Sequence, residues 1–344
     1  MNKAEISIKN IWYPEEIYSN HRIPGMIVTS KGTLIIYNEA RRTASDWAHM
    51  DIFIQRSEDH GESFGEPIYI AHGTEEYNTV NNPVMLEDAL GRLHMLYLRD
   101  YSINGGGAWQ RTSLDDGKTW SAPKEITVFT MPEYHNAFAF GPGHGICKKD
   151  GTLIVPVWMV PKSENAPIEQ HWPSVISTLC SKDNGETWFA GEIIRSQGDI
   201  INPNETVACE TSDGKVMLYI RSVAHYRSVA YGDTGYDGWT EMIPHTELID
   251  PVCFGSVIKY DGFDGKYALL MVNCANENER KNITLRVSFD DGKTWNLKRT
   301  IDADRGGYVD IAADEKNGVI YVLYEEKYGE TVYLAKMNSE WILN

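Results

Sequence analysis

Arg22, Arg221 and Arg280 stand far apart in the 344-residue chain, each beside an apolar run. Arg22 lies in His21-Arg22-Ile23-Pro24, Arg221 ends the run that begins at Val216, and Arg280 precedes the run Ile283 to Ser288. A guanidinium is planar, stays ionised at any relevant pH and grips a carboxylate through paired charge-assisted bonds. Three of them aimed at one point would hold an anionic ligand. Taken singly, each reads as a solvated surface residue, so the chemistry depends on whether the fold gathers them.

Four copies of the pattern Ser-x-Asp-x-Gly-x-Ser/Thr-aromatic indicate a fold that does. They read Ser57-Asp59-Gly61-Ser63-Phe64, Ser113-Asp115-Gly117-Thr119-Trp120, Ser181-Asp183-Gly185-Thr187-Trp188 and Ser288-Asp290-Gly292-Thr294-Trp295. Each has the chemistry of a tight hairpin: Ser and Asp side chains bond turn amides, Gly accepts φ > 0, and the aromatic leaves the turn to pack beneath it. The last interval has room for a skipped copy, and Tyr231-Gly232-Asp233-Thr234-Gly235 followed by Trp239 reads as a degraded one. Between these turns run short β-branched and aromatic stretches: Gly25–Tyr37, Met50–Arg56, Leu93–Leu98, Gly151–Trp158, Val216–Arg221, Tyr267–Val272, Ile283–Ser288 and Ile320–Glu325. Strands are expected throughout and helices hardly at all. Gly-Thr-Leu-Ile at 32–35 and again at 151–154 fits successive units built on one template.

The repeats resemble the Asp-box of the sialidase (neuraminidase) superfamily, where the box closes the outer hairpin of a propeller blade. The resemblance implies an all-β, six-bladed β-propeller with four-stranded antiparallel blades, in which the box aspartates are turn formers without a catalytic role. About six blades of roughly 50 residues would use nearly all of residues 1–344 as one domain. A ring of blades converges its inner strands on one face, which would let distant arginines share a pocket.

Arg22-Ile23-Pro24, followed by Gly32-Thr33-Leu34-Ile35 and Glu39-Ala40-Arg41, is similar to the superfamily's opening, whose Arg-Ile-Pro arginine is the first of three that clamp the substrate carboxylate. Asn204-Glu205, then Glu210 to Gly214, then Arg221-Ser222, resembles the segment that supplies the catalytic glutamate and the second arginine. Asn276 to Arg280 occupies the place of the third. Gly307-Tyr308-Val309-Asp310 followed by Leu323-Tyr324-Glu325 resembles the closing motif with the catalytic tyrosine and a glutamate that orients the first arginine. Thr43-Ala44-Ser45-Asp46-Trp47 resembles the acid loop, and the segments Gly141 to Ile146 and Cys253 to Ser256 also match. The resemblance therefore implies Asp46, Glu205 and Tyr308 as catalytic residues. It implies Arg22, Arg41, Arg221, Arg280 and Asn82 as substrate-binding, with Glu39 and Glu325 in support.

The chemistry explains the combination. A 2-keto sugar acid carries its carboxylate on the anomeric carbon, which would repel a carboxylate nucleophile, so a neutral tyrosine hydroxyl with a glutamate base is the better attacker. An aspartate acid serves the leaving oxygen.

Alternatives stay open at several positions. Glu210 competes with Glu205, Arg286 competes with Arg280, and Glu39 reads as a salt-bridge partner as much as a ligand. Asp51 reads as structural, His144 as a loop residue with a satisfied imidazole, and Trp12 and Trp47 as core residues or acyl-pocket walls. Where many bacterial sialidases place an aspartate facing the sugar substituent, this chain has the amides Asn81-Asn82-Pro83.

A net charge of −17 argues against nucleic acid or an anionic membrane as partner. It is compatible with a sialylated glycan or another anionic sugar in a locally cationic pocket. The five cysteines are scattered without CxxC spacing, so neither a disulfide framework nor a zinc site is expected, and the chemistry calls for no cofactor or metal. With no run of about 18 apolar residues and no signal-type start, the sequence reads as cytoplasmic, or as secreted or periplasmic with its signal removed. Nothing in it bears on oligomeric state. The expected function is a retaining exo-sialidase. The rivals are a hydrolase or lyase of the same superfamily acting on another anionic sugar, and a non-catalytic Asp-box propeller that binds glycans.

Overall fold

Alternating apolar runs and glycine-centred turns build six sheets in chain order. The computed structural model describes residues 3–76, 78–100, 106–127, 137–160, 171–194, 196 and 198–344. The first blade comprises Asn20–Val28, Leu34–Arg41, Met50–Ser57 and Ile68–His72. The second has Val80–Glu87, Leu93–Arg99, Gly107–Ser113 and Lys124–Glu125. Ala137–Phe140, Leu153–Val160, Val175–Ser181 and Phe189–Ala190 form the third. The fourth runs through Thr206–Glu210, Val216–Ile220, Tyr226–Gly232 and Ile243–Ile249, and the fifth through Ser256–Phe263, Lys266–Cys274, Ile283–Ser288 and Leu297–Asp302. Val309–Asp314, Val319–Glu326 and Thr331–Asn338 make the inner three strands of the sixth blade. Its outer strand is Ile6–Trp12, which pairs antiparallel with Thr331–Asn338 in a register that sets Ile6 opposite Met337. The ring is a six-bladed β-propeller closed by this pairing.

Two additions depart from plain four-stranded antiparallel blades. Gly143–His144 pairs parallel to the second blade's inner strand, and Ile146–Cys147 joins the third. The expected single run Gly25–Tyr37 is in fact two strands: Gly32, at φ 87°, turns the chain, and Thr29 N donates to Thr33 O at 2.9 Å. Second strands such as Leu34–Arg41, Leu153–Val160 and Val216–Ile220 are buried from end to end, because each is covered on both faces by neighbouring blades.

The four boxes join the third and fourth strands of the first, second, third and fifth blades. In each, the Gly N donates to the Ser Oγ and the Ser/Thr N donates to the Asp Oδ1, all at 2.8–2.9 Å. The box glycines have φ of 79–82°, and the residues before them are left-handed too, the φ pattern of a type I′ hairpin. The Thr119 hydroxyl and amide bonds hold the Asp115 carboxyl down to about 2. A Cβ on Gly185 would stand 2.7 Å from His94 of the preceding blade, and one on Gly292 would stand 2.6 Å from Met217. The boxes thus seat each blade on its predecessor. In the fourth blade the degraded copy keeps the left-handed Gly235, but Thr234 Oγ1 bonds Asp237 instead, at 2.5 Å, and Asp233 lies out toward Lys215.

A buried carboxylate pins the hub. Asp310 accepts from Met26 N of the first blade (2.9 Å) and Ser256 Oγ of the fifth (2.7 Å), and bonds His144 Nδ1 (2.9 Å). Among the described residues no helix is long and apolar enough to cross a membrane.

Candidate active site

Local backbone irregularity aims side chains into the ring's mouth. The first blade's inner strand bulges between Arg22 and Gly25, where Ile23 takes φ 54°, and the second blade's bulges between Asn81 and Val84, where Asn82 takes φ 50°. A β-branched residue in the left-handed region is a strained outlier of the kind that clusters at functional sites. A bulge re-aims the residues beside it. Here it turns Arg22 and Asn82 into a cavity of about 540 Å³, whose walls also include Arg41, Asp46, Trp47, Glu205, Arg221, Arg280, Tyr308 and Tyr328.

The three arginines converge on one phenol. The guanidinium carbons of Arg22, Arg280 and Arg221 lie 5.0, 5.4 and 5.8 Å from the Tyr308 ring centroid. The Tyr308 hydroxyl donates to Glu205 Oε1 at 2.6 Å and accepts from Arg221 Nη1 at 2.8 Å. Arg221 also pairs closely with Glu205 Oε2. Arg22 Nε donates to Glu325 Oε2 at 3.0 Å across 303 residues of sequence. Arg280 has neither a hydrogen bond nor an ion pair among the described residues, and its ring neighbours are Tyr308 and Tyr328.

Burial pushes the Tyr308 hydroxyl far above its ordinary range, and the Glu205 carboxylate adds to this against the opposing arginines. The phenol is therefore neutral and bonded to its prospective base. Burial lowers the Arg22 guanidinium, yet Glu325, with smaller contributions from Tyr308 and Asp46, outweighs burial and raises it. The cluster stays cationic.

Asp46 stands at the rim, its side chain half exposed, 2.5 Å from Arg41 Nη1 and 3.8 Å from Arg22 Nη1. Burial acts to raise its carboxyl, but Arg41 and then Arg22 outweigh burial and hold it below the usual carboxylate range. Glu39 is fully buried beneath Arg41. Its Oε2 takes Arg41 Nε at 2.8 Å and its Oε1 takes the Asn82 amide at 2.6 Å, so it supports two wall residues without lining the cavity. Burial raises its carboxyl against the pull of Arg41.

The competing candidates lie elsewhere. Glu210 faces Lys149 N at the surface, and Arg286 Nη1 donates to Asn273 Oδ1 at 2.9 Å behind the pocket. Asp51 binds Tyr18 and Gly73 N, and Trp12 is buried against Gln55 and His21. Trp47 does reach the cavity, beside His171 at 6.5 Å between ring centroids. Sequence reasoning missed Trp158, His171, Trp172 and Tyr328, all wall residues. The only sequence signal was the glycine after Tyr328 and the aromatic pair before Pro173. Among the described residues no His, Cys, Asp or Glu cluster is arranged to hold a metal ion.

Comparison with known proteins follows the same outline. The BNR repeat-like domain family matches residues 32–328. The sialidase of Bacteroides fragilis is 28% identical over 352 residues, covering 91% of this chain and 61% of the relative. The exo-alpha-sialidase of Arthroderma benhamiae is 27% identical, with 95% and 85% covered, and the Micromonospora viridifaciens sialidase is 28% identical, with 95% and 53% covered. The chain thus spans little more than half the length of two of these three. A Hadza microbial sialidase structure superposes with a TM-score of 0.84 at 25% identity, over 95% of this chain and 67% of that one. The intramolecular trans-sialidase of Ruminococcus gnavus shares the fold, with a TM-score of 0.80 at 18% identity over 97% and 98%. With six blades, four of them closed by a box, and a family match that spans most of its length, the chain belongs to the BNR repeat-like family of sialidase-superfamily propellers.

Proposed function

We propose that this protein is a glycoside hydrolase, an exo-sialidase that releases a terminal α-linked nonulosonic acid from a sialylated glycan with retention at the anomeric carbon. The observation that carries the reading is the 2.6 Å bond from Tyr308 to Glu205 within a ring of three arginines. A glycan-binding module would use the cations. It has no need of a buried phenol paired with a carboxylate base.

In this reading Arg22, Arg221 and Arg280 hold the substrate carboxylate, and Tyr308 faces the anomeric carbon. Glu205 takes the phenolic proton as the Tyr308 oxygen bonds that carbon, and Asp46 gives a proton to the departing glycosidic oxygen. Water then attacks the tyrosyl intermediate, Asp46 takes its proton, and the Tyr308 oxygen leaves and recovers a proton from Glu205. Arg41 and the Asn81-Asn82 amides flank the sugar's substituents.

Hydrolysis of fluorogenic glycosides tests the substrate class. The expected result is turnover of the N-acetylneuraminic acid glycoside. Turnover confined to its deaminated analogue or to a glucuronide would move the protein to another anionic sugar. Proton NMR of the first-formed product distinguishes the α anomer expected for retention from the β anomer of an inverting enzyme.

A further inference from the structure

Arg280 is held differently from its two partners. Glu325 orients Arg22 and Glu205 orients Arg221, while Arg280 makes no ion pair among the described residues and feels Glu325 only at longer range. Two aromatic rings flank it, its guanidinium carbon lying 5.4 Å from the Tyr308 ring centroid and 5.1 Å from that of Tyr328, with the buried Cys253 also close enough to act on its charge. Arg22 lies between the same rings, at 5.0 and 5.7 Å. Tyr308 is buried, whereas Tyr328 is 59% exposed at the mouth.

The turn that presents Tyr328 is held against its backbone preference. Lys327, Tyr328 and Gly329 take φ of 48, 58 and 83°, three left-handed residues in succession of which two are not glycine. Its surroundings enforce the shape. Asn20 Nδ2 donates to Tyr328 O at 3.0 Å, and a Cβ on Gly329 would stand 2.4 Å from His21 O. A ring so exposed fills no core, yet the chain keeps a strained turn to place it over two cations.

We propose that Tyr328 is the positioning residue of Arg280, standing where a carboxylate stands for the other two arginines. The proposal rests on the reading of the pocket as a carboxylate clamp. A π face attracts a guanidinium without occupying its N–H donors. A third carboxylate there would bond those donors and cancel charge that the ligand needs. The aromatic partner orients Arg280 and leaves its N–H edge free for the substrate.

The test is a double-mutant cycle read by calorimetric titration with the 2,3-didehydro glycal of N-acetylneuraminic acid, which carries the carboxylate. Tyr328→Leu is expected to weaken binding roughly tenfold, and Tyr328→Phe to stay within about twofold of wild type, since the ring and not the hydroxyl acts. In an Arg280→Ala background Tyr328→Leu is expected to add less than about twofold, because the two side chains act as one unit. Wild-type affinity in Tyr328→Leu, an equal loss in both backgrounds, or a Phe variant as weak as Leu would overturn the proposal. Those results presuppose a wild-type protein that binds the glycal. If it does not, the clamp reading itself fails and takes this inference with it.

Discussion

At the rim of the propeller, Asp183 is bound by Ser181 and Thr187, four residues away at most, in a turn open to water. At its centre, Glu325 is bound by Arg22 across 303 residues and both are buried. The rim uses carboxylates as local hydrogen-bond acceptors that shape a hairpin, and one solution repeats around the ring. The centre uses them to orient buried cations and a phenol, and every blade contributes something different. Repetition serves where the task and the local surroundings are the same at each position, whereas even the three arginines of the pocket are held by different partners.

Tyr308→Phe sets the two regions furthest apart. It removes the hydroxyl that meets Glu205 and leaves the ring facing the arginines, so kcat is expected to fall on the order of 10³-fold or more while glycal binding stays within about threefold. Steady-state kinetics and titration check this. Equal losses in turnover and affinity would make Tyr308 part of the clamp.

Glu325→Ala strips the partner from a buried guanidinium. Urea unfolding is expected to show a loss of about 3 kcal/mol, because the buried guanidinium keeps only the more distant, half-exposed Asp46 as a carboxylate partner, together with weaker glycal binding. A variant as stable as wild type would mean that water already serves Arg22.

The pH profile sharpens the comparison from the side of Asp46. Arg41 and Arg22 hold its carboxyl low in the free protein. A bound carboxylate neutralises part of that cationic field, so the Asp46 pKa is expected to rise in the complex. An acid must be protonated, so activity falls as pH rises through that pKa. The falling limb of kcat/KM, which reports the free enzyme, is then expected at lower pH than that of kcat. Coincident limbs would remove Asp46 from this coupling.

Asp183→Ala has the smallest expected effect: about 1 kcal/mol of stability by thermal melting, with kcat/KM unchanged. Burial acts to raise the Asp183 carboxyl, but its Thr187 and Ser181 bonds outweigh burial and lower it. With a depressed folded pKa its contribution is present above the ordinary carboxylate range and lost as pH falls below it, so the gap between wild type and variant closes in acid. A loss of activity at full stability would mean that the rim reaches the site.

The same contrast explains what was legible in the sequence. A box is complete within eight residues, so its Ser, Asp and Gly could be read directly and with them the blades. Gly25–Tyr37 reads as one run although the polar stretch Thr29-Ser30-Lys31-Gly32-Thr33 divides it and a turn ahead of Leu34 is itself legible, because apolar residues resume at once on the far side. Arg22, Glu205 and Tyr308 carry no local signature of their meeting, and only the ordered likeness to a known family drew them together. Tyr328 and His171 had no such likeness to reveal them. Their place in the wall follows from a left-handed turn and from aromatic contacts between segments far apart, which no short window contains.

The pairing of Ile6–Trp12 with Thr331–Asn338, which brings Glu5 to Asn338 across 333 residues, also sets a clock. The entropic cost of closing so long a loop grows only logarithmically, but the search for it is slow, and its partner hairpin is synthesised after five other blades. Until then the sixth blade lacks its outer strand, and Thr331–Asn338 offers an open edge to any other chain. The propeller is therefore most open to mispairing at its last blade, whose edge is covered only when the ring closes.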